Sequence, residues 1–179
     1  MPLFAVIAGL IFVTIACLLA FIATKPAEFK IERTATLSAP PAVVFPYIND
    51  LHRWPEWSPF EKLDPAMKKT FTGPESGVGA AYGWSGNKKA GEGTMTITTS
   101  TPDELVAINL DFAKPMKASN KVTFTLVPTT AGSQVTWCMA GEHNLMGKAF
   151  STFCNMDKMV GEMFAEGLAN LDRVASASA

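Results

Sequence analysis

Between Leu145 and Val174 the apolar residues fall three or four apart: Met146, Ala149, Phe150, Phe153, Met156, Val160, Met163, Phe164, Leu168, Leu171 and Val174. Lys148, Asp157, Lys158, Glu162, Glu166 and Arg173 lie mostly between them. This period predicts one long amphipathic helix, and a helix with a single apolar face needs a cover. The region before it is β-rich, so the expected architecture is a curved sheet closed over a C-terminal helix. Methionine and phenylalanine dominate the stripe. An unbranched, polarizable thioether repacks around objects of different shape, so the stripe suits plain core packing and the wall of an adaptable cavity alike.

The sheet is legible as alternation. Phe29 to Leu37 places Phe29, Ile31, Ala35 and Leu37 on one face, with Arg33 among them as a strand-end residue or one that reaches a carboxylate inside the cup. Ser38-Ala39-Pro40-Pro41 ends that strand and opens a brief helix, Ala42 to Ile48, which Pro46 shortens or bends. Trp54 and Trp57, hemmed by Pro55 and Pro59, form a rigid aromatic corner that packs the short helices onto the sheet or stands at a pocket mouth. Strands then follow at Met67–Thr72, Ala80–Ser85, Gly93–Thr101, Leu105–Phe112, Met116–Val127 and Ser133–Glu142, separated by Gly- and Pro-containing turns. Connections this short imply an antiparallel sheet with one buried face.

Leu3 to Ala23 carries no charge and, as a helix, is about 30 Å long, the thickness of a bilayer's hydrocarbon core. No Lys or Arg precedes it, it exceeds the usual signal-peptide core, and Ala20 and Ala23 make a weak cleavage site. The expectation is an uncleaved single-pass anchor of bacterial inner-membrane type. The domains would then be 1–24 anchor, 25–28 linker, 29–175 folded domain and 176–179 disordered tail. Lys25, Lys30 and Arg33 favour a cytoplasmic domain, whereas bacterial N-terminal anchors often export the domain on their C-terminal side; the side stays open. A net charge of −1 in 179 residues excludes the basic field that draws in nucleic acid. Cys17, Cys138 and Cys154 form neither a disulfide framework nor a zinc spacing, and the expectation is free thiols.

The order strand, short helices, six strands, long helix resembles the SRPBCC superfamily (START-like, Bet v 1-like), in its polyketide-cyclase/dehydrase and lipid-transport branch. The likeness rests on Ser38-Ala39-Pro40-Pro41 with Val44-Phe45, on Ile48-Asn49-Asp50 through Trp54 to Trp57-Ser58-Pro59, and on Gly73-Pro74 through Gly77-Val78-Gly79 with Tyr82 and Trp84, then Gly91 and Gly93. It spans Phe29 to Val174. The resemblance implies an α+β helix-grip fold, a seven-stranded antiparallel curved sheet around a long C-terminal helix, with an apolar cavity between them. Members bind lipids, sterols, polyketides, hormones or quinones, and only some are enzymes.

Within that frame the residues expected to line a cavity are Arg33, Trp57, Tyr82, Trp84, Asn109, Phe124, Trp137, Phe150, Phe153, Met156 and Met163. His52 and His143 read as surface or capping residues, with Asn144 a helix N-cap. No metal-ligand spacing or nucleotide loop occurs, so no cofactor or metal is expected. The expected partner is a hydrophobic small molecule met at the membrane held by residues 3–23. One alternative is a cyclase or dehydratase using Arg33, Tyr82, Asn109, Asp111, Asn120 or Glu142, since a carboxylate in an apolar cup is pushed toward its neutral form. Another is a protein-interaction module of the same fold.

Overall fold

The structure is a computed structural model that describes residues 2–178; the side chains of Pro2 and Leu3 lie outside the description. It has an α+β helix-grip architecture. Helix α1 (Pro2–Ala23) precedes strand β1 (Glu28–Leu37), helix α2 (Pro41–Asn49) and two 3-10 turns (Leu51–Glu56, Pro59–Lys62). Strands β2 (Lys68–Thr72), β3 (Ala81–Ser85), β4 (Glu92–Thr101), β5 (Leu105–Lys114), β6 (Ala118–Thr129) and β7 (Gly132–Glu142) come next, then α3 (Leu145–Phe153) and α4 (Met156–Ser176).

All neighbouring strands are antiparallel, in the order β1-β7-β6-β5-β4-β3-β2. The short hairpins give the run β2 to β7, and β1 returns to pair with β7 along its whole length, Glu28 opposite Glu142 and Leu37 opposite Ser133. Alternation fixes the faces. Ile31, Val122, Phe124, Val135, Trp137 and Met139 point into the concave side and are buried. Asn109, Asp111 and Lys121 point out and are exposed.

One expectation is corrected. Leu145 to Val174 is two helices, broken at Cys154 and Asn155: the Cys154 N–H closes α3 on the Phe150 carbonyl, and the Asn155 side chain accepts from the Lys158 N–H to start α4. An Asn N-cap supplies a partner to an amide that helix geometry leaves without one, so the chain can turn here without Gly or Pro. The expected tail 176–179 starts at the last residue of α4, and Ala179 lies outside the described residues.

The aromatic corner is a plug. Where α2 ends, the Tyr47 and Ile48 carbonyls lack a helical donor; Trp57 Nε1 donates to the first at 2.9 Å and Trp54 Nε1 to the second at 3.0 Å. Both rings are buried against Phe124 and Trp137. Helix α4 is tied along its length. Arg33 donates to the Asp157 carboxylate at 3.0 and 3.1 Å and to its carbonyl at 2.8 Å, so the β1 guanidinium reaches a helix carboxylate. Asp172 accepts from the Ser38 N–H at 2.7 Å, and Tyr47 Oη donates to the Val174 carbonyl at 3.1 Å.

Glycine sets how near α4 comes. A Cβ on Gly167 would lie 2.6 Å from the Trp137 ring and 3.1 Å from Pro59. Neither neighbour can swing aside, so overpacking of about 1–3 kcal/mol outweighs the ~1 kcal/mol that alanine adds to a helix. Gly167→Ala is therefore expected to lower stability by about 1–2 kcal/mol, read as a reduced denaturation midpoint in detergent; an unchanged or raised midpoint would show that the contact can relax.

Candidate functional site

Between the concave face and the start of α4 lies a partly open hollow of about 420 Å³. Its floor is Met95, Leu110, Val122, Trp137 and Met139 from the sheet; its roof is Met156, Val160 and Phe164 from α4. The 3-10 region contributes Ser58, Phe60, Glu61 and Leu63, while His143, Gly147 and Phe150 stand where β7 passes into α3. Trp137 is central: it stacks on Phe164 (4.1 Å between ring centroids, 8° between planes) and meets Phe60 edge-on at 6.0 Å.

The wall holds a few polar groups. Tyr82 Oη donates to Glu61 Oε1 at 3.0 Å, and Glu61 Oε2 is ion-paired with Lys69. Burial first, and then the Glu61 charge, push the Tyr82 hydroxyl far above its ordinary value, so it remains a donor. Both Glu61 oxygens are thus bonded, one to Tyr82 and one to Lys69. Three further atoms have no partner in the chain among the described residues: Ser58 Oγ, Asn120 Oδ1 and Trp137 Nε1. All three residues belong to the hollow's lining. The contrast among the four tryptophans is informative, because Trp54, Trp57 and Trp84 each donate to a backbone carbonyl and Trp137 does not. A buried donor left unmet costs about 1–3 kcal/mol.

The sequence-derived residues divide. Tyr82, Trp84, Trp137, Phe150 and Met156 line the hollow, as do Asn120 and Glu142. Arg33 does not; its guanidinium turns to Asp157, and Gly161 leaves it the room, since a Cβ there would lie 2.0 Å from Nη2. Trp57 and Phe124 are packed in the core behind the wall. Asn109 and Asp111 face outward because Ile108, Leu110 and Phe112 occupy the concave parity of β5. Phe153 is 72% exposed and borders a shallow groove beside β1, and Met163 is half-buried outside the lining. Ser58, Phe60 and Glu61 escape sequence reasoning because a 3-10 turn has no hydrophobic period; the Trp-Ser-Pro-Phe punctuation is their only signal. Cys17, Cys138 and Cys154 are free, and among the described residues no three His, Cys, Asp or Glu side chains gather as metal ligands.

His143 stacks on Phe29 with 4.4 Å between centroids and 14° between planes. Burial, aided by Lys148, lowers its pKa below the ordinary 6.5. A depressed histidine favours the neutral ring in the fold, so its contribution is complete above the unfolded value and is lost as pH falls through the folded one. The expected NMR titration midpoint of the ring is therefore below 6.5, and His143→Phe should flatten the loss of stability on acidification; a midpoint above that value would contradict the half-buried stack.

The family model described as polyketide cyclase / dehydrase and lipid transport matches residues 28–176. None of the curated proteins matches the chain in sequence. Among solved structures, MLL2253 from Mesorhizobium loti is 17% identical, with 84% of this chain and 99% of that one covered and a TM-score of 0.61. CV1439 from Chromobacterium violaceum is 15% identical, with 82% and 96% covered and a TM-score of 0.60. Ara h 8.0201 is 13% identical, with 84% and 99% covered and a TM-score of 0.57. At such identities the likeness is one of fold.

Proposed function

This chain belongs to the polyketide cyclase / dehydrase and lipid transport family over residues 28–176, and from that premise we propose that it binds a hydrophobic small molecule in the hollow while tethered to a membrane by α1. The observation that carries the reading is the hollow itself, about 420 Å³ walled by aromatic and methionine side chains. Volume of that order takes a small apolar ligand, and scattered polar points fix its orientation. Trp137 Nε1–H and Ser58 Oγ supply such points, which favours a ligand with an accepting oxygen on an apolar body.

The tether has its own support. Phe4–Ala23 is long and apolar enough to cross a bilayer, and its side chains stand exposed apart from Ile22. A signal sequence satisfies the same criterion; the length of the apolar run favours the anchor. In this reading 1–24 is the anchor, 25–28 a linker and 29–175 the binding domain. Tethering holds the hollow near a two-dimensional pool of apolar molecules and raises their effective concentration.

Full-length protein extracted in mild detergent, exposed to lipid extract and examined by native mass spectrometry, is expected to retain discrete apolar species. Val160→Trp, which fills the roof, should cut retention about tenfold, since ~1.4 kcal/mol of lost burial suffices. Retention of nothing under any condition, or equal retention by the filled variant, would sink the reading. Trp137→Phe keeps the ring area and removes the N–H; an oxygen-bearing ligand held there should bind about tenfold more weakly, and unchanged affinity would remove Trp137 from the account.

A further inference from the structure

Helix α3 buries none of its side chains. At about 100° per residue, Leu145, Ala149, Phe153, Met146 and Phe150 fall on one continuous arc of roughly 140°, with Lys148, Ser151 and Thr152 on the other side. Of the arc, Leu145 is 53% exposed, Met146 64%, Phe150 42% and Phe153 72%, and Met159 at the start of α4 adds to the same exposed set at 53%. Four large apolar side chains facing out on nine residues call for a cover.

Its position says what the cover is. Helix α3 packs against the end of α1: Lys148 Nζ donates to the Ala23 carbonyl at 3.2 Å, and Ile22, buried to 3%, is the one side chain from Phe4 to Ala23 withdrawn from the surface. Lys25, just past α1, lies back over the Phe21 ring at 4.3 Å, as a lysine does where a membrane helix leaves the hydrocarbon. Helix α3 thus lies beside the last turn of a bilayer-length apolar helix, and its exposed apolar arc stands near the point where that helix ends.

We propose that α3 lies in the interfacial layer of the same membrane that α1 enters, with Met146, Phe150 and Phe153 among the acyl chains, and that it is the door through which an apolar molecule passes from bilayer to hollow. This rests on the reading of α1 as a membrane anchor. The door follows from the lining, because Gly147 and Phe150 of α3 form part of the hollow's wall. The break at Cys154 and Asn155 frees α3 from α4, whose own start is held by Arg33 on Asp157. An interfacial helix buries its apolar face about 5–10 Å into the headgroup and acyl boundary.

The test uses the full chain with its three cysteines replaced by serine, carrying one new cysteine labelled with bimane, in phosphatidylcholine/phosphatidylglycerol vesicles containing lipids with an acyl-chain nitroxide. Phe153→Cys reports α3, Leu18→Cys reports α1 and Lys88→Cys reports the β3–β4 connection. Because α3 buries nothing, Phe153→Cys is expected to fold. The expected result is strong quenching by the lipid nitroxide at 153 and at 18, and little at 88. Quenching at 18 without quenching at 153 overturns the seating of α3 and leaves the anchor standing. Absence of quenching at 18 removes the anchor and this inference together, and strong quenching at 88 replaces it with a domain lying flat on the bilayer.

Discussion

The structure depends on the contacts that seat α4 on the sheet. From Phe164 onward it is packed closely: Phe164, Leu168, Leu171 and Ala175 are buried, Gly167 lets the backbone come up to Trp137 and Pro59, and Asp172 and the Val174 carbonyl are hydrogen-bonded to Ser38 and Tyr47. Its first turns are less covered, with Met156 and Val160 only partly buried and the Arg33–Asp157 pair holding the end. The hollow lies beneath these turns. The Trp137–Phe164 stack bounds it, with two aromatic rings 4.1 Å apart between centroids.

The same geometry assigns unequal work to the polar contacts. Arg33 and Asp157 are partly exposed, and each holds the other charged, the arginine's pKa raised and the aspartate's lowered below its ordinary 3.8 chiefly by their hydrogen bond. A pair open to solvent adds little to stability; its part here is to tie the start of α4 to β1. By contrast, the bonds of Trp54 and Trp57 to the end of α2 are buried and satisfy carbonyls that would otherwise be orphaned. They fix the 3-10 turns that bring Ser58, Phe60 and Glu61 to the wall.

Much of this was legible in the residues. Period-two alternation located all seven strands to within a residue or two at most ends, and a 3.6 period marked the apolar face over the sheet. Parity along β5, carried on from Ile108 and Leu110, turns Asn109 outward. The split of the C-terminal stretch was harder to see, since the apolar period runs through Cys154 and Asn155 almost unbroken; Asn155 was the one sign of a new N-terminus. Arg33 on an otherwise apolar strand face announced a partner, but that partner lies 124 residues on, and no local pattern reports such a distance. The hollow also left no signature of its own, because a methionine or phenylalanine stripe is the same whether its side chains meet others or face a gap.

The chemistry of the lining favours an apolar occupant. A hollow of about 420 Å³ walled mainly by aromatic, methionine and aliphatic side chains leaves apolar surface without partner atoms. Water is held well only where polar partners exist, among them Ser58, Asn120, Trp137, the Glu61–Tyr82 pair, Glu142 and His143, and the rest of the wall is mostly apolar. An apolar guest recovers burial along the rest of the wall at about 25 cal/mol per Å². Contacts at both ends of α4 hold the roof in place, and a wall with little to offer water favours an apolar occupant.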